Sequence, residues 1–313
     1  MRNKIRVFRL KKILIIELRP GIGDLCMFIP RFHEIKQKFQ KSHITLLTKT
    51  RTRAKEILKY DQNINQIEFI DEGGKKKNLF FLFSLFKKNK FDIVFSYQYG
   101  PKYLKYIFFS KIFGSQVFYY GIFKRKESMM MRAIRSNEIW LNIRITKRSA
   151  KIFIKNQNVR RKNQIILGIG ASGDNKRWPT NYFCILIEYF KRKNYEFILA
   201  GGPGEKEIIN SIKQYHSDTK FISLENFNLE ESLDVIKDAK YHFGNDSGFM
   251  HICAALGMIS YCLYGDTPSE DSIYNDKIVP IIPDGFERVD HGSQAMNLIS
   301  VSKVIKAFEQ KSD

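Results

Sequence analysis

The stretch YHFGNDSGFMHICAALG, Tyr241–Gly257, contains the transition that decides the fold. An apolar run ends in Asn-Asp-Ser-Gly, and a run of small apolar residues that includes His251 follows. Asn, Asp, Ser and Gly are preferred where a helix begins, and the unpaired N–H groups there also attract anions. The pattern predicts a strand, a loop and a helix. The loop is either a simple helix cap or part of a ligand site.

The same order of strand, loop and helix recurs along the chain. In the first half, the apolar run Lys12–Leu18 leads into RPGIGD, and Phe91–Tyr97 is the last of four predicted strands. In the second half, the predicted strands NQIILGIG, EFILAG, FISL, YHFG and ISYCLYG alternate with helices such as NYFCILIEYFKRK. This alternation predicts an α/β fold with two open parallel sheets. Ligands bind beyond the carboxyl ends of such strands, so we expect two Rossmann-like domains facing across a cleft.

The charge is divided unevenly between the two halves. The net charge is +21, but residues 1–160 hold 36 Lys and Arg against 11 Asp and Glu, whereas residues 161–313 hold 17 against 21. The basic half favours an anionic partner, such as nucleic acid, an anionic membrane surface or a phosphorylated lipid. The sign changes near the polar segment 155–163, which we interpret as a linker between domains at 1–158 and 159–300, with a last helix at 301–313.

Composition narrows the class of protein. No run of residues approaches the ~18 uninterrupted apolar positions of a membrane span. The basic N-terminus precedes an apolar run at Ile13–Ile16 that is short for a signal peptide and has no small-residue cleavage site, so a buried strand is expected there. The four cysteines form no CxxC pair and lie in apolar surroundings, as expected of reduced core residues in a cytoplasmic protein.

Two loops after predicted strands carry candidate catalytic and anion-binding residues. In GIGD, Gly21 and Gly23 allow a tight turn, and Asp24 stands where a helix begins, as a helix cap or as a general base. In GASGDNKRWP, small residues, the Ser172 hydroxyl and the Lys176 cation suit a phosphate. The alternative for that second loop is a solvated surface turn, although the following Trp-Pro suggests that the loop is pinned.

Two further loops suit a nucleotide and a sugar. In GGPGE, Glu205 could accept hydrogen bonds from a ribose, although this stretch could equally be a turn only. In GNDSGFMH, Ser247 and Gly248 place N–H groups where a diphosphate could bind, and Asp246 could bind sugar hydroxyls. His251 lies one turn further on and points towards the same helix end; a lone histidine of this kind is otherwise a core residue.

Taken together, these motifs resemble glycosyltransferase family 9, the lipopolysaccharide heptosyltransferases. The resemblance lies in GNDSGFMHICAALG with the downstream YGDTP, in KRWP, and in the early Gly-Asp followed by Pro30, and it extends from the first strand to the last helix. It implies a GT-B fold and an inverting transfer, without metal or cofactor, from ADP-L-glycero-D-manno-heptose to a lipopolysaccharide core acceptor. In a GT-B enzyme the first domain holds the acceptor. Because that half of the chain is strongly basic, we expect a soluble protein that works as a peripheral protein at the cytoplasmic face of the inner membrane.

The resemblance gives each candidate residue a role. It makes Asp24 the catalytic base and makes Ser172 and Lys176 diphosphate ligands. The residues around the donor sugar, phosphates and adenosine are Asp246, Ser247, Gly248, His251, Glu205 and Phe227. Three positions depart from the family pattern, since Ala171, Asn175 and Phe227 stand where a hydroxyl residue, an acid and Met are expected. These departures bear on the donor rather than on the fold.

Three other functions remain open from the sequence. One is a glycosyltransferase of the same fold with another donor or acceptor. Another is a nucleic-acid-binding protein, which the charge would favour, but the basic half is opposite the nucleotide motifs and has no zinc-finger or RNA-binding signature. The last is a sugar-binding module without catalysis, against which both Asp24 and Lys176 are retained. The clearest basic stretches are Lys75–Lys77, Lys87–Lys88 and Lys102–Lys126, interleaved with aromatic residues.

Overall fold

The computed structural model describes residues 10–72, 78–121, 127–146 and 148–312. Two compact units are present. One comprises Met1–Gly21 and Phe28–Thr146, and the other comprises Ile22–Met27 and Lys147–Asp313. Three residues of the predicted basic surface, Lys75, Lys76 and Lys77, lie outside the described residues.

The first unit is built on a parallel sheet of five strands in the order β3-β2-β1-β4-β5. The elements up to the end of this unit are β1 (Lys11–Ile16), α1 (Ile22–Lys38), β2 (Ser42–Thr48), α2 (Ala54–Ile57), β3 (Gln66–Phe69), α3 (Asn78–Asn89), β4 (Ile93–Ser96), α4 (Leu104–Ile112), β5 (Gln116–Tyr119) and α5 (Met129–Leu141). The central strand β1 is an apolar run whose last four residues are fully buried, as expected of a parallel strand covered on both faces. One core lies between β1, β4 and the inner sides of α3 and α4.

The second unit contains a parallel sheet of six strands in the order β11-β10-β9-β6-β7-β8. Its elements are β6 (Lys162–Gly168), α6 (Thr180–Lys191), β7 (Glu196–Ala200), α7 (Lys206–Tyr215), β8 (Phe221–Ser223), α8 (Leu229–Ile236), β9 (Ala239–Asn245), α9 (Gly248–Ala255), β10 (Ile259–Leu263), β11 (Ile278–Ile281) and α10 (Val301–Ser312). A large core joins α6 and α10 to the central strands, with the rings of Phe243 and Tyr261 stacked 4.5 Å apart.

The backbones of β6 and β9 approach so closely at one point that both strands have a glycine there. Gly168 and Gly244 are register partners, and a Cβ at Gly244 would lie 2.4 Å from the carbonyl oxygen of Gly168. No side chain fits at that separation. The pairing fixes the two central strands whose ends carry the loops of the candidate site. Helix α9 ends at Ala255, and Gly257, which follows the C-cap residue, has a φ of +83° that suits glycine just after a helix.

Two parts of the sequence analysis differ from the structure at the level of elements. Strands β5 and β11 were not predicted; both are four residues long and lie at sheet edges, where the apolar pattern is weak. The segment interpreted as a linker, 155–163, also overlaps β6, because Lys162 and Asn163 begin that strand. Upstream of it, the backbone N–H of Ile152 donates to the carbonyl of Ala255, at the end of α9.

Within the described part of the chain, no helix is both long and apolar enough to cross a bilayer.

Candidate active site

A buried amide fixes the loop that follows β6. Asn245, the last residue of β9, accepts a hydrogen bond from the backbone N–H of Trp178 (3.0 Å) and donates to the carbonyl of Ile169 (2.9 Å). The indole N–H of Trp178 donates to the carbonyl of Ile299 at 2.8 Å. The loop from Gly170 to Pro179 is therefore held at both ends by buried groups, which supports the interpretation of a pinned loop and positions Lys176.

The carboxylate of Asp246 lies at the centre of a polar cluster. It accepts a hydrogen bond from the hydroxyl of Thr267 (2.7 Å), and its oxygens lie 3.9 Å from Nζ of Lys176 and 3.7 Å from Nε2 of His251. Burial acts to raise the pKa of Asp246, but His251, Thr267 and Lys176 together outweigh it and hold that pKa below its usual value. Asp246 is therefore an anion at neutral pH, flanked by donors on both sides.

A buried tyrosine orients the histidine of this cluster. Nδ1 of His251 lies 2.7 Å from the hydroxyl of Tyr274, which is fully buried. Burial raises the pKa of Tyr274 well above its usual value, so the phenol keeps its proton. We assign the hydroxyl as donor to Nδ1, which leaves the imidazole proton on Nε2, the nitrogen that faces Asp246. His251 is then a hydrogen-bond donor that faces the carboxylate of Asp246.

The start of α1, residues Ile22–Met27, belongs to the second unit and packs against His251. A Cβ at Gly23 would lie only 2.6 Å from Cδ2 of His251, and one at Gly248 would lie 3.0 Å from Cβ of Ile22. Because both positions lack a side chain, the first turn of α1 and the first turn of α9 come together. That turn of α1 holds Asp24, which is partly exposed. The structure thus brings Gly23 and Asp24 to the same end of the second unit as Gly248 and His251, whereas Gly21 belongs to the first unit.

The helix start at Ser247 has an unused hydroxyl. Ser247 is the N-cap residue of α9, but its side chain makes no capping hydrogen bond. The Oγ atom is buried and has no hydrogen-bond partner in the structure. A buried hydroxyl without a partner costs free energy, and a bound oxygen acceptor or donor would remove that cost. Together with the first N–H groups of α9, this atom suits an anionic ligand.

Glu205 differs from the role predicted for it in one respect: both of its oxygens already accept hydrogen bonds from the protein. Oε1 accepts from the guanidinium of Arg177 (2.8 Å), and Oε2 accepts from the backbone N–H of Gly202 (2.8 Å). A carboxylate has further acceptor sites, so a ribose contact is still possible. Glu205 also holds Arg177 beside the loop that carries Lys176.

The remaining predicted residues are less closely connected. Ser172 is exposed, and Phe227, in the loop before α8, is also exposed. The described contacts do not join either residue to the cluster around Asp246. Asn175, one of the three departures from the family pattern, hydrogen-bonds through its side chain to the buried carboxylate of Asp266. That carboxylate also accepts from the backbone N–H of Gln294 at 2.7 Å.

Several contributing residues were missed by sequence reasoning. Asp266 and Thr267 lie in the YGDTP motif, which was noted without a role for either residue, and Arg177 lies in KRWP. Tyr274 has no local signal, because it reaches His251 from a 3₁₀ turn 23 positions away. Another buried histidine, His242, occupies the space above Gly168; burial, with a smaller contribution from His251, lowers its pKa to about 3, so it is neutral.

Within the described residues, no group of three or more His, Cys, Asp or Glu side chains is arranged to hold a metal ion.

Comparison with solved structures defines the class of fold. A glycosyltransferase family 9 structure from Veillonella parvula is similar over 96% of this chain and 96% of that chain, with a TM-score of 0.76 and 19% identity. An E. coli heptosyltransferase structure with ADP-2-deoxy-2-fluoro heptose is similar over 96% and 99%, with a TM-score of 0.72 and 14% identity. The predicted α/β class, with two Rossmann-like parallel-sheet domains of the GT-B type, is confirmed.

Comparison of sequences shows which family the second half of the chain is similar to. The model of glycosyltransferase family 9 (heptosyltransferase) matches residues 130–279. Lipooligosaccharide heptosyltransferase 2 of Haemophilus ducreyi is 34% identical over 167 residues, 48% of this chain and 48% of that protein. The matched segment thus spans about half the length of the curated relatives. Residues 130–279 are thus similar to glycosyltransferase family 9, in agreement with the resemblance seen in the motifs.

Proposed function

We propose that this chain is an inverting heptosyltransferase that moves a heptose from ADP-L-glycero-D-manno-heptose to a lipopolysaccharide core acceptor. One observation carries the proposal: the close packing of Gly23 on His251, which brings the turn holding Asp24 beside the cluster of Lys176, Asp246 and His251. A base, a cation and a helix start then converge on one region. The heptosyltransferase names of the relatives, and the ADP-heptose analogue named with one similar structure, support this choice of donor.

In the proposed reaction, Asp24 accepts the proton of the acceptor hydroxyl as that oxygen bonds to the anomeric carbon of the heptose. The bond between the anomeric carbon and the phosphate oxygen breaks on the opposite face, and ADP leaves. A single displacement inverts the anomeric configuration. General-base assistance of this kind contributes about 10²–10⁴ in rate.

The leaving diphosphate is stabilised by positive groups of the protein in this scheme. Lys176 supplies a compact charge, the first N–H groups of α9 supply aligned donors, and the Ser247 hydroxyl supplies a buried polar atom without a partner. Asp246 holds Lys176 and His251 and is placed to bind a sugar hydroxyl. We therefore expect transfer to proceed without a divalent ion, a point that chelation tests directly.

The proposed acceptor is attached to a lipid, so the proposed reaction would occur at a membrane. A core acceptor attached to lipid A would lie in an anionic leaflet, and the first unit has the basic charge to approach it. We infer that the protein docks on the cytoplasmic face of the inner membrane, with the acceptor held by the first domain (predicted 1–158) and the donor by the second (predicted 159–300).

The test is incubation with ADP-L-glycero-D-manno-heptose and a set of lipid-A-containing core acceptors, followed by mass spectrometry. The expected product gains the mass of one heptose, with inverted anomeric configuration by NMR, in the presence and absence of EDTA. A parallel set of other nucleotide sugars checks the donor. Transfer of a different sugar would overturn the donor assignment, and a strict need for Mg²⁺ or Mn²⁺ would overturn the proposed stabilisation of the leaving group.

A further inference from the structure

The outer faces of α3 and α4 expose large apolar side chains that a water-facing helix would normally lack. On α3, Phe80 is 77% exposed, and on α4, Phe108 and Ile112 are each 60% exposed. Three more large apolar side chains on these helices are also exposed: Leu79, Phe83 and Leu104. Such a concentration of exposed apolar residues marks an interaction surface, because single exposed apolar residues are common but contiguous groups are not.

The spacing shows that these residues form one face of each helix. On α3, the exposed positions Phe80, Phe83, Ser84, Lys87 and Lys88 recur at intervals of three and four. On α4, the exposed positions are Leu104, Phe108, Lys111 and Ile112, again at helical spacing. The opposite faces are buried in the core of the first unit.

The two faces are joined at their edges. The ring of Phe83 lies 5.7 Å from that of Phe113, the residue that follows α4, in an edge-to-face arrangement. Beneath it, Phe86 of α3 stacks on Phe109 (6.2 Å) and Phe113 (6.1 Å). The two helices therefore present one continuous surface, which we call the α3–α4 patch: Leu79, Phe80, Phe83, Lys87, Lys88, Leu104, Phe108, Lys111 and Ile112.

The charge of this patch has a single sign. Between Gly73 and Lys126 the sequence has one acidic residue, Asp92. Its carboxylate accepts a hydrogen bond from the backbone N–H of Lys12 (2.8 Å). Lys87, Lys88 and Lys111 are exposed beside the apolar residues, and Nζ of Lys87 lies 5.7 Å from the ring of Phe83. Aromatic and aliphatic residues bordered by lysines match a bilayer interface, where acyl chains lie below anionic headgroups.

We propose that the α3–α4 patch inserts its apolar side chains into an anionic bilayer, with Lys87, Lys88 and Lys111 contacting the headgroups. The proposal deepens the membrane part of the proposed function, which it takes as its starting point, by naming the surface and by adding an apolar component to an electrostatic attraction. A second copy of the chain is a poorer occupant, because a symmetric contact through this patch would place lysines against lysines.

The experiment compares the binding of three variants to vesicles rich in phosphatidylglycerol and to vesicles of phosphatidylcholine, at low and high salt. Phe80→Ser/Phe108→Ser removes apolar residues, Lys87→Gln/Lys88→Gln removes charge, and Ile139→Ser/Tyr215→Ser is the matched control on exposed apolar residues elsewhere. The substituted residues are all exposed, and circular dichroism would be used to check that each variant is folded. The Phe variant should lose about tenfold or more in partitioning at both salt concentrations, since apolar insertion is not screened.

The Lys variant should lose the salt-dependent part of the binding, and the control should bind like the unmodified protein. In Phe80→Trp, the indole emission should shift to the blue on anionic vesicles and be quenched by brominated acyl chains. Unchanged binding of the Phe variant, or no quenching, would overturn insertion and leave only electrostatic docking. A lipid-free dimer that the Phe substitutions dissociate would also overturn the proposal, in favour of self-association.

A soluble, deacylated acceptor separates this proposal from the transferase assignment. Heptose transfer to that acceptor by the Phe variant at the normal rate is expected, because the patch takes no part in the chemistry. Vesicle binding without transfer to any acceptor would contradict the proposed function and leave the patch standing. Transfer of heptose with no vesicle binding at low salt would contradict insertion by the patch and leave the proposed function standing.

Discussion

In most proteins apolar side chains are buried and polar side chains are exposed. The carboxyl edge of the second sheet and the outer face of α3 and α4 depart from this rule in opposite ways. At the sheet edge, polar and charged side chains such as Asp246, His251 and Asn245 are largely buried, and each has partners. On the helices, Phe80 and Phe108 are exposed. A buried polar group needs a partner in the protein or in a ligand, whereas an exposed apolar group gains by leaving water. The first region is therefore suited to a small polar ligand, and the second to an extended apolar surface.

The largest effect is expected at Asp24. Asp24→Asn keeps the shape of the side chain but removes the base, so turnover should fall by about 10²–10⁴. Nucleotide affinity and vesicle binding should stay as they are, and Asp234→Asn, an exposed aspartate on α8, is the matched control. Rates of heptose transfer and calorimetric titration with ADP give the two quantities. Turnover near normal in Asp24→Asn would leave this residue as a helix cap and break the assignment of catalysis to the polar region.

A smaller effect is expected at Lys176. Lys176→Met removes a charge-assisted contact worth about 1.5–3 kcal/mol, so the Kd for ADP should rise by roughly 10–100-fold. Lys176→Met should not change vesicle binding. A lysine substitution on α3 also removes one positive charge but should weaken vesicle binding, so the two variants distinguish the two regions. Lys240→Met, an exposed lysine on β9, is the control for charge alone. An unchanged Kd for ADP would exclude Lys176 as a diphosphate ligand.

The smallest effect is expected at Tyr274, which acts on the ligand only through His251. Tyr274→Phe removes the donor to Nδ1, so kcat should fall by about tenfold or less, with little change in KM for the donor. Nitrogen-15 shifts of His251 should show a mixture of tautomers.

Tyr189→Phe, which removes a hydroxyl bonded to Glu309, is the matched control for Tyr274→Phe and should leave kcat and the tautomer of His251 unchanged. A Tyr274→Phe protein with normal kinetics and a single His251 tautomer would show that the tyrosine only packs against the ring.

The fold was predictable because each central strand is an apolar run bounded by turn residues. The predicted strand at Lys12–Leu18 corresponds to β1, Lys11–Ile16, and the predicted loop and helix after β9 are present. The edge strands β5 and β11 were not predicted, since each is only four residues long and only partly buried. Pattern alone detects an element by its burial, so weakly buried elements escape it.

The candidate site was predictable as far as strand topology determines it. Parallel strands end at one edge, so the loops of Lys176 and Asp246 were expected to lie together, and their side chains are 3.9 Å apart. Side-chain partners follow from packing rather than from topology, which is why Tyr274 and the pairing of Arg177 with Glu205 were missed. The roles assigned to the site residues stay predictions until the substitutions are made.

Gly23 has a consequence for the order in which ligands bind. The imidazole of His251 fills the space that a Cβ at position 23 would occupy, 2.6 Å from its Cδ2 atom. We expect a bound nucleotide that moves the ring towards Gly23 to shift the backbone next to Asp24. Thermodynamic linkage makes such an effect reciprocal, so an acceptor that engages Asp24 changes nucleotide affinity by the same factor. We therefore expect the two substrates of the proposed reaction to be coupled through this ring and this glycine, so that their binding is synergistic or antagonistic rather than independent.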